Sequence, residues 1–250
     1  MQNNSALDIA CASFYIGQQY YFKNLRFSLP QQQWTCLLGR SGIGKSSLLK
    51  ILAGLIPDNQ HQLQVKHTSF SPLNQHISYM AQTDCLMPWL TVINNVLLGV
   101  KLRGEKKPYH TKQAMDLLTQ IGLAEKASYY PHQLSGGMRQ RVALARTLME
   151  DKPFVLMDEP FSALDAITRM TMQALAFKLL QHKTVFLVTH DPFEALRLGQ
   201  QILIMQGNPV KLITVPTPSI PPLRDMNDSV LIEYQQKIIH QLMEEQYAVS

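Results

Sequence analysis

Three cysteines in 250 residues, Cys11, Cys36 and Cys85, make an odd number with no C-x-x-C pair. That excludes a disulfide framework and fits a reducing compartment, where the thiols act as small apolar residues. Long apolar runs are missing too: no uninterrupted stretch approaches the roughly 18 residues needed to span a bilayer. The opening MQNNSALDIA lacks the basic-then-apolar signature of a secretory leader. The expectation is a soluble, cytosolic chain, or one that reaches a membrane through a partner. Net charge is +5, yet the 23 Lys and Arg are scattered, with no dense basic run or aromatic-interleaved patch, so no nucleic-acid partner is expected. Eight histidines show no H-E-x-x-H or other ligand spacing, and no structural metal is expected.

What is present is apolar sequence, 46% of residues, enough for one sizeable α/β domain with a substantial core. Short apolar runs bounded by turn residues alternate with longer periodic segments, which predicts a mostly parallel sheet covered by helices. The expected strands are WTCLLG, HISYMAQ, PFVLMDEP, TVFLVTH and QILIM. FVLM and VFLV are apolar at every position, as strands buried on both faces must be. The early stretch ALDIACASFYIGQQYYFKNLRFSL alternates more, with Gly17 at a turn, and reads as antiparallel strands at an edge. From Pro88 to about Glu150 the pattern changes to helix after helix, an inserted helical subdomain. The division expected is a core from 1–86 and 151–215, a helical part at 87–150, and a proline-rich connector with a C-terminal helix at 216–250.

Within LLGRSGIGKSSLLKIL, the pattern G-x-x-x-x-G-K-S is met by Gly39, Gly44, Lys45 and Ser46, with Arg40, Ser41, Gly42 and Ile43 between them. Glycines let backbone N–H groups turn onto phosphate oxygens, and the helix start adds partial positive charge. Lys45 would reach the outer phosphates and Ser46 could hold Mg²⁺. This is a nucleotide site. Asp158 and Glu159 follow the buried strand residues Phe154 to Met157, where open α/β sheets place ligands. Asp158 suits Mg²⁺, directly or through water. Glu159, free of that duty, could orient and deprotonate an attacking water. His190 closes TVFLVTH and can bridge water and phosphate. Gln82, after ISYMA, can reach Mg²⁺ or the water and sits where sheet gives way to helices.

A second anion-binding helix start lies in LSGGMRQRVALARTL, where a serine and two glycines precede an amphipathic helix with Met138, Val142, Ala145 and Leu148 on one face. One chain does not need two cradles. A second, distant one implies that two copies meet, each capping the nucleotide held by the other. Here the sequence resembles the ATP-binding cassette (ABC) ATPases, and nearly the whole chain to about residue 213 fits. The matching motifs are the Walker A loop at Gly39–Ser46, the Q-loop at Gln82, the signature at Leu134, Ser135, Gly136, Gly137 and Met138, Walker B at Phe154–Asp158 with Glu159, the D-loop at Ser162, Ala163, Leu164 and Asp165, and the switch histidine His190. Met138 stands where the family pattern has Gln, and Ser47, in place of the frequent Thr, is expected from the resemblance to reach the α-phosphate.

The resemblance implies an α/β fold of the P-loop (RecA-like) kind with an antiparallel β edge and an inserted helical subdomain. It implies ATP and Mg²⁺ as cofactors, catalysis by Glu159, His190 and Gln82, and Mg²⁺ held by Ser46, Gln82 and Asp158. It also implies an aromatic residue on adenine near SFYIG, Tyr15 before Phe14. A single cassette without membrane spans or coiled coil looks like the separate ATPase of a bacterial importer, the alternative being a soluble cassette ATPase that acts on nucleic acid or the ribosome. Such a subunit works as a homodimer, peripheral on the cytoplasmic face of the inner membrane, beneath integral permease subunits and, through them, a solute-binding protein. The wording resembles the nitrate, sulfonate, taurine and thiamine-pyrimidine branch, and looks closest to ATPases for hydroxymethylpyrimidine, a thiamine precursor. Met87 and Trp89 in CLMPWLTV are expected at the permease contact, unless Trp89 fills the helical core.

Overall fold

The computed structural model describes residues 5–68, 70–105, 107–225 and 228–247. Positions 1–4, 69, 106, 226, 227 and 248–250 of the stretches discussed above lie outside the described residues. In chain order the strands and α-helices are β1 (Ser5–Ile16), β2 (Gln19–Pro30), β3 (Trp34–Gly39), α1 (Lys45–Leu52), β4 (His61–Thr68), β5 (Ile77–Met80), α2 (Val92–Val96), α3 (Leu98–Leu102), α4 (Pro108–Gln120), α5 (Gly136–Met149), β6 (Phe154–Asp158), α6 (Ala166–Leu179), β7 (Thr184–Val188), α7 (Pro192–Leu198), β8 (Gln201–Gln206), β9 (Lys211–Val215) and α8 (Ser229–Tyr247).

The main sheet runs β5-β6-β7-β3-β8-β9, parallel except for β9, which pairs antiparallel with β8. Strand β3 lies between β7 and β8 and is buried at all six positions. Its side chains alternate between two cores. Trp34, Cys36 and Leu38 enter the one shared with α5, α6, α7 and α8, and Leu37 enters the one shared with α1 and the smaller sheet. The same two-residue alternation divides β6, β7 and β8, so apolar residues at every position are required and not merely tolerated. Each buried Leu, Ile or Val contributes about 1.5–3 kcal/mol relative to exposure, so these strands form a stiff floor for the loops at their ends.

The antiparallel part occurs in two places. Strands β2, β1 and β4 form a separate three-stranded sheet, and β9 closes the main one. Three expected strands end early: β5 stops at Met80, β6 at Asp158 and β7 at Val188, so Gln82 and His190 stand two residues beyond their strands, on loops, and Glu159 one residue beyond its own.

Helices α2 to α5 pack mainly on one another. One buried polar residue fixes their join to the sheet. Asn95 is fully buried; its Oδ1 accepts from the Met87 N–H at 2.7 Å and its Nδ2 faces the carbonyls of Met87, Leu90 and Thr91 at 3.2, 3.0 and 3.2 Å. Replacing it strands several backbone groups away from water. Asn95→Leu is expected to lower unfolding free energy by about 2–4 kcal/mol, read from urea denaturation, with the 87–91 loop first to become protease-sensitive. An unchanged midpoint would show that the loop holds itself.

Candidate nucleotide site

The loop from Gly39 to Gly44 joins the centre of the sheet to α1, and its glycines are there for physical reasons. Gly39 has φ 153°, and a Cβ on it would lie 2.5 Å from the Met205 carbonyl oxygen. Gly44 caps α1 in the left-handed region, φ 109°, and a Cβ there would lie 3.0 Å from the Phe22 ring. With both glycines the chain turns tightly along a cleft of about 250 Å³ lined by Ser41, Gly42, Gly44, Lys45, Ser46, Ser47, Gln82 and Glu159. Lys45 is buried and donates to the carbonyls of Gly39 and Arg40 at 2.7 and 2.8 Å. Burial pulls its ammonium pKa below the ordinary value, opposed by Glu159 and Asp158. A buried cation held only by carbonyl dipoles is suited to a polyphosphate.

Ser46 donates its hydroxyl to Asp158 Oδ1 at 3.0 Å, across 112 residues of sequence. Burial raises the Asp158 pKa, with the Ser46 hydrogen bond acting against it. Two hard oxygen donors beside the cleft fit Mg²⁺, which prefers such ligands, and a cation there would oppose the effect of burial on Asp158. Glu159 sits next door with φ 49°, a left-handed conformation that costs a bulky residue about 1–3 kcal/mol. Its peptide is held firmly. The N–H donates to the Val188 carbonyl at 2.9 Å, and its own carbonyl accepts from Ser162 N, Ser162 Oγ and Gln140 Nε2 at 3.3, 3.0 and 3.2 Å. The carboxylate oxygen Oε2 meets Gln82 Nε2 at 3.2 Å and His190 Nδ1 at 3.2 Å. Gln82, Glu159 and His190, from three loops, therefore converge on one point. Gln82 offers its amide nitrogen to Glu159, with its oxygen left for other partners.

Ser135 caps α5 and accepts from the Met138 N–H at 3.3 Å, giving the helix start expected for the second anion site. Only part of the five-residue group is available there. The Leu134 side chain is buried in the core and cannot touch a nucleotide, whereas Ser135 and Gly136 are exposed. Met138 packs partly against the same core. In the 162–165 turn, Leu164 is likewise buried, and Asp165 caps α6 by accepting from the Thr168 N–H at 3.0 Å. None of residues 134–138 lines the Lys45 cleft. Tyr15 is half-buried with its ring 5.4 Å from that of Tyr20; Phe14 is buried in the core and packs on Phe22. Trp89 is 71% exposed, which removes the reading that it fills the helical core, and Met87 is half-buried.

Other residues tie these parts together and went unnoticed in the sequence. Arg139 donates to Asp84 at 2.9 Å, and Arg146 donates to the carbonyls of Cys85 and Asp84, both at 2.7 Å, so α5 grips the loop after Gln82. The signal was available in the basic residues of RQRVALAR, which periodicity alone assigns to a solvated face. Beside this grip lies a groove of about 370 Å³ whose walls include Tyr79, Cys85, Leu98, Leu102 and Arg146.

A phosphate cradle, a carboxylate held by glutamine and histidine, and a separate capped helix start describe a particular ATPase arrangement, and known proteins share it. A family model described as ABC transporter matches residues 22–162. The chain belongs to the ABC transporter family. It is an ATP-binding ATPase subunit of that family, and its fold is that of solved cassettes. One relative, an uncharacterised ABC transporter ATP-binding protein of Haemophilus influenzae, is 42% identical over 91% of this chain and 95% of its own. A taurine import ATP-binding protein of Rhizobium johnstonii is 40% identical over 75% of this chain and 72% of its own. An aliphatic sulfonates import ATP-binding protein of Pectobacterium atrosepticum is 38% identical over 91% and 83%. Among solved structures, a dimeric cassette in a post-hydrolysis state with ADP and Pi aligns with TM-score 0.69 at 28% identity, covering 88% of this chain and all of its own. As an ABC subunit, the chain has no helix among its described residues that is long and apolar enough to cross a membrane.

Proposed function

We propose that this ABC ATPase is the energy-coupling subunit of a bacterial importer. It works as a head-to-tail homodimer on the cytoplasmic face of the inner membrane, beneath permease subunits that a solute-binding protein loads from the other side. The observation that carries the hydrolytic part is the meeting of Gln82 and His190 on one oxygen of Glu159, beside Lys45 and the Ser46–Asp158 pair. In the bound complex Lys45 would exchange the Gly39 and Arg40 carbonyls for β- and γ-phosphate oxygens, while N–H groups of residues 40–47 enclose the chain. Tyr15 would stack on adenine. Ser46, Asp158 and Gln82 would hold Mg²⁺, which would offset the negative charge developing on the phosphate oxygens. Glu159 orients the attacking water and takes its proton as the oxygen bonds to the γ-phosphorus, and the bond to ADP breaks. His190 keeps Glu159 aimed and faces the γ-phosphate. The exposed turn of Ser135, Gly136 and Gly137, outside its own chain's cleft, supplies N–H groups to the partner's ATP.

The groove between Tyr79, Leu98, Leu102 and Arg146 adjoins the loop that follows Gln82, so with Met87 and Trp89 it offers the permease an apolar seat that moves with nucleotide state. The sequence resemblance favours hydroxymethylpyrimidine as the solute, whereas the named relatives are taurine and aliphatic-sulfonate import proteins. Both are small polar solutes carried by one branch, and nothing in the ATPase touches them. The test is affinity capture from detergent-solubilised membranes with tagged Glu159→Gln plus ATP. A multi-span permease among the captured proteins supports the importer; only soluble partners would refute it. Adding Trp89→Ala is expected to cut permease recovery about tenfold while ATP affinity stays within twofold, as removal of an exposed aromatic anchor should. Equal loss of ATP binding would refute the docking role.

A further inference from the structure

We infer that Gln140 is a positioning residue whose single amide fastens the Glu159 peptide and the Ala163 turn to α5, so that the helix serving the partner's ATP also sets the chain's own hydrolytic centre. The inference rests on Glu159 as base and on the head-to-tail dimer. Gln140 is 5% exposed and stands one turn into α5. Its Nε2 donates to the Glu159 carbonyl at 3.2 Å, and its Oε1 accepts from the Ala163 N–H at 3.0 Å. Both ends of the amide are thus used on the loop that follows β6, and neither is used within α5. A second contact reinforces the link. A Cβ on Gly137 would stand 3.4 Å from Leu164 Cδ2 and 3.5 Å from the Ala163 carbonyl oxygen, so the first turn of α5 lies directly on the same segment.

The receiving peptide is the sensitive one. Glu159 is left-handed, and among the described residues its carbonyl accepts otherwise only from Ser162, a residue of that same loop. Gln140 is therefore its link to the helical region. Hydrogen bonds weaken steeply as they lengthen or bend, so a rigid shift of α5 by even an ångström must pull the Glu159 peptide and the 162–165 turn with it. When the Ser135 turn of one copy closes on its partner's ATP, α5 is fixed, and through Gln140 so is the carboxylate that attends the copy's own ATP. Closure at one site in this way prepares the other.

Gln140→Met keeps the volume and removes both hydrogen bonds. The expected result is kcat reduced at least about tenfold, some 1.4 kcal/mol of barrier, with KM and Kd for ATP within twofold of wild type. The Glu159→Gln/Gln140→Met double variant is expected to form the ATP-bound dimer at the same ATP concentration as Glu159→Gln. A kcat within twofold of wild type overturns the inference, as does a kcat loss matched by loss of ATP binding, which would mark Gln140 as packing alone. If Gln140→Met does not fold, Gln140→Glu, which keeps the acceptor for Ala163 and loses the donor to Glu159, carries the same expectation and the same refutation. The outcomes separate cleanly from the parent reading. Turnover in Glu159→Gln would remove the base, whereas an inactive Glu159→Gln beside a fully active Gln140→Met would overturn this inference only.

Discussion

Glu159→Gln is expected to lower ATP turnover by 10²–10⁴-fold, the usual contribution of a general base, while leaving ATP affinity nearly unchanged. The substitution is nearly isosteric. The backbone of Glu159 stays held by Val188, Ser162 and Gln140, because those bonds use its N–H and carbonyl and not its side chain. Gln82 and His190 now face an amide that cannot take a proton from water. The product of failed hydrolysis is a long-lived ATP complex, so kcat should fall and KM should not rise. A steady-state phosphate-release assay reads this directly. Turnover at the wild-type rate would remove Glu159 from the chemistry and leave Asp158 as the only other carboxylate beside the Ser46 hydroxyl.

The second large effect falls on binding. Lys45→Ala removes the one buried ammonium at the loop and is expected to weaken ATP about 100-fold or more, since a hydrogen bond to a charged group is worth about 1.5–3 kcal/mol and Lys45 would make more than one. It also removes the ammonium donor from the Gly39 and Arg40 carbonyls, leaving the Arg40 carbonyl with the Ile43 N–H at 3.4 Å. Fluorescent-nucleotide titration measures the loss. Lys45→Arg should not rescue it, because the guanidinium is planar and larger, and the loop, with Gly39 tight against the Met205 carbonyl, has no room to withdraw. Unaltered affinity in Lys45→Ala would mean that the glycine-rich N–H groups suffice alone.

The two effects differ in kind because the sequence and the fold specify them differently. The Lys45 loop is local: glycines, lysine and serine within eight residues, preceded by the largely apolar strand WTCLLG, and it can be read without coordinates. The strands themselves were legible for the same reason, since Leu37 and its neighbours must satisfy two cores at once. Periodicity did not reveal which sheet a strand joins. β1 and β2 alternate as one-sided strands do, but the free edge that β4 fills is a tertiary fact, and HQLQVKHT carries no glycine turn to announce it. Leu134 belongs to the motif proposed to act in trans and Leu164 to the 162–165 turn, yet both side chains are core, a division of labour within a motif that spacing cannot show. Gln140 left a faint trace. It heads the buried series Gln140, Ala143, Leu144 and Thr147 at helical spacing, and an amide on a buried stripe needs partners. Naming Glu159 and Ala163 as those partners required the fold.

The most direct measurement is the mass and nucleotide content of Glu159→Gln with excess ATP, by light scattering and nucleotide extraction, compared with Glu159→Gln/Ser135→Arg. The account predicts a dimer holding two ATP in the first and an ATP-bound monomer in the second, because Ser135 caps the turn that serves the partner and lies outside its own cleft. A monomer in the first, or an undiminished dimer in the second, would contradict it.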